Sequence, residues 1–270
     1  MPHDKLLILI RQRVSDGSML RLIKQSLKVG VVYQGQVEPT KIGVPQGSPI
    51  SPLYSNLYLN LLDQVWHKRG YPQKLGATLH RYCDDAILVC RKNATQALEA
   101  FEAIARRMGL ELNHEKTRIT KLSDGFDFIG YQFVKRRSPT TGKWSIYIFP
   151  SKESQRKIRR RIKYFTKRRA PAPPDEFVRQ INEAVRGWVQ YYIHTNASQA
   201  FRALQRFINT RFRRYLTYRS KGRGFGWRRY PNRRLYAMGL IYIGSGLLRH
   251  TKAPAHALGC RLSDRRIREN

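Results

Sequence analysis

Apolar positions along the 270-residue chain fall into distinct textures. Near the N-terminus Leu6, Leu7 and Ile10, then Leu20, Ile23 and Leu27, recur at helical spacings on either side of Ser15-Asp16-Gly17-Ser18. A period of three to four residues places them on one helix face and the Asp-Gly cluster interrupts it, which predicts two short amphipathic helices. Val31 to Ile42 alternates loosely around Gly35 and runs into Gly43-Val44-Pro45-Gln46-Gly47-Ser48-Pro49-Ile50-Ser51-Pro52, a shaped loop with two glycines and three prolines. Ser51 suits a helix cap and Pro52 a first helical position. Leu53, Leu57 and Leu61, with Tyr54, Tyr58 and Leu62, then form the apolar face of a helix continuing towards Trp66.

Thr78–Cys83 and Ala86–Cys90 are rich in β-branched, aromatic and aliphatic residues. They read as a β-hairpin with Asp84 and Asp85 at its tip. After Pro150 the pattern becomes helical and basic: Ile158, Ile162 and Phe165 interleave with Lys152, Arg156, Lys157, Arg159, Arg160, Arg161, Lys163, Lys167, Arg168 and Arg169. Ala170-Pro171-Ala172-Pro173-Pro174 stops that helix. Asp175 or Glu176 opens the next, which carries Phe177, Ile181, Val185 and Trp188, and a third carries Phe201, Leu204, Phe207, Ile208, Phe212 and Leu216. These predict a three-helix bundle, and Lys221–Arg234 reads as a flexible loop. The fold class is α+β.

Charge sharpens this picture. Lys and Arg total 52 against 18 Asp and Glu, a net charge of +34. Residues 1–150 hold 22 basic and 12 acidic side chains and residues 151–270 hold 30 and 6, so the halves carry +10 and +24. The partner is expected to be a polyanion, gripped mainly by the second half. Unbalanced positive charge destabilises a fold that lacks such a partner, which disfavours a merely solvated face for these cations. A 41% hydrophobic content argues against disorder. Three cysteines without a C-x-x-C pair argue against a disulfide framework and a cysteine zinc site, and Cys260 with His256 alone cannot form a zinc-bound nuclease finger. The apolar runs are too short to cross a bilayer, so a soluble protein of a reducing cytoplasm is expected.

The chemistry concentrates at Asp84-Asp85. Adjacent carboxylates repel, and beside apolar strands a bound cation, Mg2+, would make the pair tolerable. A solvated Asp-Asp turn is the competing reading.

Motif order narrows the choice. Gly43-x-Pro45-Gln46-Gly47-Ser48-x-x-Ser51-Pro52 precedes Tyr82-Cys83-Asp84-Asp85, then Leu112-Asn113-x-x-Lys116-Thr117, then Phe126-x-Phe128-Ile129-Gly130-Tyr131. This order resembles the palm of reverse transcriptases. Downstream, Gly187-Trp188-Val189-Gln190-Tyr191-Tyr192, Phe201 and Arg229-Tyr230-Pro231 before Leu235-Tyr236 resemble the maturase domain of bacterial group II intron proteins. The resemblance implies a partial palm over 1–149 followed by an α-helical thumb and maturase domain over 150–270. It further implies RNA-directed DNA polymerase chemistry, intron RNA and an RNA/DNA primer-template as partners, and help in splicing.

Carried over residue by residue, Asp84 and Asp85 match metal-binding catalytic carboxylates of a two-Mg2+ polymerase. Gln46 and Gly47 match the loop lying against the incoming nucleotide, Tyr82 a position near the primer end, and Lys116 a basic residue near phosphate. Gly130 matches the turn supporting the primer; a solvated lysine and an ordinary strand bulge remain the alternatives for Lys116 and Gly130. Arg159, Arg160, Arg161, Arg168, Arg169, Lys221, Arg223, Arg228, Arg229, Arg233 and Arg234 are the expected RNA contacts. Cys83 stands where the family usually has alanine. Met1-Pro2-His3-Asp4-Lys5-Leu6-Leu7 resembles the segment just after the family's first metal-binding aspartate, so the pattern reads as N-terminally truncated, lacking that aspartate and the fingers strands. A chain of this kind is expected to be polymerase-deficient alone, with a maturase-only splicing cofactor or a decayed retroelement fragment as alternatives. Nothing in the pattern fixes an oligomeric state.

Overall fold

The computed structural model describes residues 1–29, 31–33, 36–38, 43, 48–166 and 173–244, with 31–33 and 36–38 known by backbone alone. The chain forms two compact units, Met1–Lys121 and Leu122–Asn270. All described strand pairs are antiparallel, and with the helices they make an α+β protein.

In the first unit α1 (His3–Arg11) and α2 (Gly17–Lys28) are the two expected short helices. Asp16 caps α2 by accepting the Met19 N–H at 2.8 Å. A short hairpin, β1 (Val31–Tyr33) and β2 (Gln36–Glu38), precedes α3 (Ser51–Lys68). Ser51 is not the cap of α3: the helix starts one residue earlier than that role requires, Ile50 holds the cap position without a side-chain bond, and Ser51 is its first residue. The buried stripe of α3 is Tyr54, Tyr58, Leu62 and Trp66, while Leu53 lies on the solvent side. Four-residue spacing makes this one gently winding stripe along the helix, and the aromatics in it are buried in the core of the unit.

After α4 (Tyr71–Leu75), β3 (Ala77–Tyr82) and β4 (Asp85–Cys90) pair, and α5 (Ala94–Met108) packs behind them. Trp66 is fully buried, its ring edge-on to Phe101 and its indole N–H donating to the Ala77 carbonyl. This contact fastens the start of the hairpin to α3. Helix α5 ends on Gly109 at φ +74, where the Leu110 N–H returns to Ala105 O and the Gly109 N–H to Arg106 O, a left-handed cap that a glycine adopts without steric cost.

The second unit opens with a three-stranded sheet, β5 (Phe126–Phe128), β6 (Tyr131–Arg137) and β7 (Trp144–Pro150). Helices α6 (Lys152–Phe165), α7 (Pro174–Tyr192), α8 (Ser198–Arg219) and α9 (Asn232–Ala237) follow. Ser151 caps α6, and α7 begins at Pro174, just ahead of the expected acidic start. Ile158 and Ile162, Phe177, Ile181, Val185 and Val189, and Phe201, Leu204, Ile208 and Phe212 meet in one core. The helical periodicity read from the sequence is the one that buries these faces. The loop at Lys221–Arg234 is tied down rather than flexible. Arg213, 1% exposed on α8, donates to Tyr230 O at 2.8 Å and to Asn232 Oδ1, and its guanidinium lies 3.7 Å from the Trp227 ring centroid.

Candidate functional site

The carboxylate hairpin is built by its register. Tyr82 pairs with Asp85, so Cys83 and Asp84 form the two-residue turn and Asp85 is the first residue of β4. The tip is therefore Cys83-Asp84 rather than Asp84-Asp85. Ala77 and Leu79 must face the core, and the period of two along β3 then fixes where the strand can turn. Cys83 sits at φ +53, a left-handed conformation more at home with Asn or Gly. Asp84, Asp85 and Tyr82 are all exposed.

One side chain sets the tip in place. The Arg81 guanidinium donates to both oxygens of Asp63 at 2.6 to 3.1 Å, to Asn56 Oδ1 at 2.9 Å and to the Cys83 carbonyl at 2.7 Å. Arg81 and Asp63 are 13% and 29% exposed, so the planar fork works in a partly desolvated site where its geometry counts. Helix α3 supplies Asp63 and Asn56, and the hairpin supplies Arg81; the turn carrying Asp84 is thus braced against the helix. Reading the motif for carboxylates alone missed this brace, although an arginine inside an apolar strand was its signal.

Carboxylate oxygens of Asp84 and Asp85 are hard donors suited to Mg2+ in kind. In number they fall short of a two-metal centre: among the described residues no group of three or more His, Cys, Asp or Glu could hold a metal ion. Asp63, the aspartate on α3, is engaged by Arg81. Gln46 and Gly47 lie outside the described residues. Lys116 is exposed in a turn organised by Asn113, whose side chain and carbonyl accept the Lys116 N–H and whose carbonyl also accepts the Thr117 hydroxyl and N–H. The Asn and Thr of that motif shape the turn, leaving the lysine head group in solvent.

Gly130 belongs to the second unit. Ile129 (φ +50) and Gly130 (φ +79) are the two central residues of the turn between Phe128 and Tyr131, both left-handed, as the tight turn that matches strand twist demands. A β-branched residue in that region is strained. Helix α7 holds the turn: the Tyr191 hydroxyl donates to Ile129 O at 3.0 Å and the Tyr192 hydroxyl to Gly130 O at 2.9 Å. Tyr131 answers by donating its hydroxyl to Tyr191 O, with the two rings stacked at 4.9 Å. Ser154 Oγ receives the Trp188 indole N–H at 3.0 Å and bonds the Tyr192 hydroxyl at 2.7 Å. Burial pushes the Tyr131 phenol well above its ordinary range, the bond with Tyr191 adding to the effect, and burial also raises the Tyr192 phenol. Two stretches that the sequence singled out separately, Phe126–Tyr131 and Gly187–Tyr192, are one packed cluster.

The expected RNA contacts Arg160, Arg161, Lys221, Arg223, Arg228, Arg229, Arg233 and Arg234 are exposed and Arg159 half-buried, whereas Arg168 and Arg169 lie outside the described residues. Of those described, only Arg160 has a carboxylate within 4 Å, Glu153 at 3.9 Å. Several lie against rings instead: Arg159 over Phe207, Arg161 over Phe165, Arg229 and Arg234 over Tyr230. Beside them a groove of about 500 Å³ opens on α8, lined by Arg202, Arg206, Asn209, Asn232, Tyr236 and Tyr242 among others. Sequence reading did not single out Arg202 or Arg206. They sit at i and i+4 on the outer face of α8, and that spacing was the available signal.

Exposed carboxylates at the turn and first strand residue of a hairpin, a tyrosine-held turn and arginine-rich helices fit a protein that handles nucleic acid. Residues 1–133 match the family Reverse transcriptase (RNA-dependent DNA polymerase), and residues 155–235 match the Group II intron, maturase-specific domain. The chain belongs to the group II intron-encoded reverse transcriptase/maturase family. It is 40% identical to Group II intron-encoded protein LtrA of Lactococcus lactis subsp. cremoris over a 201-residue alignment covering 51% of this chain and 33% of that protein. To Protein YkfC of Escherichia coli (strain K12) it is 30% identical over 168 residues, covering 50% of this chain and 44% of that protein. An uncharacterized 91 kDa protein in cob intron of Schizosaccharomyces pombe is 36% identical over 64 residues, 24% of this chain and 8% of that protein. The chain thus spans less than half the length of these relatives. No helix of the described residues is long and apolar enough to cross a membrane.

Proposed function

We propose that this chain binds group II intron RNA and assists its splicing, and that supplied alone it extends a primer negligibly. The observation that carries the reading is the exposure of Arg160, Arg161, Arg223, Arg228, Arg229, Arg233 and Arg234 on the helical unit, of which, among the described residues, only Arg160 has a carboxylate within 4 Å. Cations in that state release counterions when phosphates replace water, and the half of the chain from residue 151 carries +24. In this reading residues 1–149 are a partial reverse-transcriptase palm and residues 150–270 the thumb and maturase domain.

The limit on polymerisation comes from the carboxylates. Mg2+ would supply, when bound, charge neutralisation at the attacking and leaving oxygens. Asp84 and Asp85 would hold it, with Arg81, Asp63 and Asn56 fixing the turn that carries Asp84. Two carboxylates bind one such ion weakly and do not fix a second, and misplacement of about 1 Å costs on the order of a hundredfold in rate.

Filter binding of a structured intron RNA across salt concentrations tests the reading. Affinity should fall steeply with salt, and replacing Arg228, Arg229, Arg233 and Arg234 together by Ala should weaken binding more than replacing Arg91 and Lys92. A flat salt response refutes it. In a primer-extension assay with RNA template, nucleotides and Mg2+, robust extension that disappears in Asp84→Ala would overturn the polymerase-deficient part.

A further inference from the structure

The β6–β7 hairpin projects a solvent-facing surface that none of the roles above uses. Register pairs Lys135 with Ile146 and Arg137 with Trp144. Alternate residues of a strand share a face, so these four side chains stand together on one side of the ribbon. All four are exposed, Trp144 by 57% and Ile146 by 56%. Lys135 Nζ lies 5.6 Å and Arg137 Cζ 5.5 Å from the Trp144 ring centroid. On the opposite face Arg136 lies over Phe149, and Lys143 stands next to Trp144 at the end of the turn. The sequence holds no acidic residue between Asp127 and Glu153.

The loop closing this ribbon is well bonded. Ser138 N–H donates to Lys143 O at 2.8 Å, Gly142 N–H to Ser138 O at 2.9 Å, and Thr141 N–H reaches Ser138 Oγ. The tryptophan is therefore presented from a fixed backbone, and little ordering cost remains when a ligand covers it.

We propose that the Lys135, Arg137, Trp144 and Ile146 face is a binding site for an unpaired RNA strand, with a base stacked on Trp144 and the flanking phosphates on Lys135 and Arg137. This rests on the reading of the chain as an RNA-binding protein and names where a single strand would lie. Charge decides the class of partner, since cations without a carboxylate in the same segment suit a polyanion. The flat exposed ring decides between strand types. An indole stacks on a base only where that base is not already stacked on both sides within a duplex.

The test uses the full chain with 5-fluorotryptophan at its four tryptophan positions, Trp144 being assigned by the signal lost in Trp144→Phe. Oligoadenylate of 12 nucleotides should move the Trp144 signal and leave that of buried Trp66 in place. Trp144→Leu should weaken oligoadenylate binding roughly 5- to 150-fold, the range of one lost base stack, and leave a blunt 12-base-pair RNA duplex within about twofold. Lys135→Gln with Arg137→Gln should flatten the slope of log affinity against log salt by about 1.4, since each single-strand phosphate contact contributes about 0.7. Binding with the Trp144 signal unmoved and Trp144→Leu at full affinity overturns this site while leaving RNA binding elsewhere intact. No binding of either RNA defeats both this site and the function it rests on. A Trp144 shift with phosphatidylserine vesicles but not with oligoadenylate assigns the face to anionic lipid and refutes the proposal.

Discussion

Gly130→Ala is the sharpest perturbation the second unit offers, because two costs can be separated there. Gly130 sits at φ +79, and placing an L side chain in the left-handed region costs roughly 1–2 kcal/mol. A Cβ would also stand 2.9 Å from Tyr192 Oη. That hydroxyl cannot swing aside freely, since it bonds Gly130 O and Ser154 Oγ and its ring is packed by Trp188, Tyr131 and Tyr191. Displacing it adds about 1 kcal/mol, the net worth of a typical hydrogen bond. The substitution should therefore destabilise the unit by about 2–3 kcal/mol. Tyr192→Phe alone should cost about 1 kcal/mol and no more, because Gly130 O keeps the Ser151 N–H and Ser154 Oγ keeps the Trp188 indole. In the double variant the Cβ meets no hydroxyl, so the pair should be less damaging than the sum by about 1 kcal/mol. Urea unfolding followed by tryptophan emission reads this, since Trp144, Trp188 and Trp227 lie in the second unit and only Trp66 in the first. Additivity within about 0.4 kcal/mol, or a Gly130→Ala cost below about 0.5 kcal/mol, would refute the close-approach account.

Other outcomes follow from the same geometry. Arg81→Ala strands the partly buried Asp63 carboxylate and should destabilise the first unit by about 2 kcal/mol in urea, while Arg81→Lys, which keeps the charge but loses the fork, should cost about half as much; equal costs would remove the argument from fork geometry. Because burial raises the Tyr131 and Tyr192 phenols, their contribution is fully present below about pH 10, the ordinary phenol value, and is lost as pH rises above it. Tyr131→Phe should flatten the fall in the urea-derived unfolding free energy between pH 9 and 11 by up to about 1.4 kcal/mol per pH unit, and an unchanged slope counts against the buried-phenol assignment. Mn2+ should broaden NMR signals at the Cys83–Asp84 turn, an effect lost in Asp84→Asn; broadening that survives that substitution makes the turn structural.

What was legible in the sequence is what period and local chemistry determine. Helices α6, α7 and α8 bury the faces their spacing announces, and the β3–β4 strands were readable from their apolar runs. The position of the turn was not, because it is set by which face of β3 meets the core; Cys83 in a left-handed conformation carries no local turn signal. The β6–β7 ribbon went unread although Trp144–Phe149 is rich in aromatic and β-branched residues, since Lys135-Arg136-Arg137 looks like a charge run until pairing places it beside Trp144. Compactness groups residues 122–150 with the helices, whereas motif order groups them with the palm; the two criteria measure different things, packing in one case and descent in the other.

Ile129 shows how closely the sheet of the second unit is bound to α7. A β-branched residue at φ +50 stores strain of order 1–3 kcal/mol and persists only where surrounding bonds over-determine it. Here those bonds come from α7: Tyr191 to Ile129 O, Tyr192 to Gly130 O, and Tyr131 back to Tyr191 O. The Ile129-Gly130 turn thus takes its shape from α7. Substitutions on α7 such as Tyr191→Phe act on that turn without touching the sheet sequence, because they remove the hydroxyl that donates to Ile129 O.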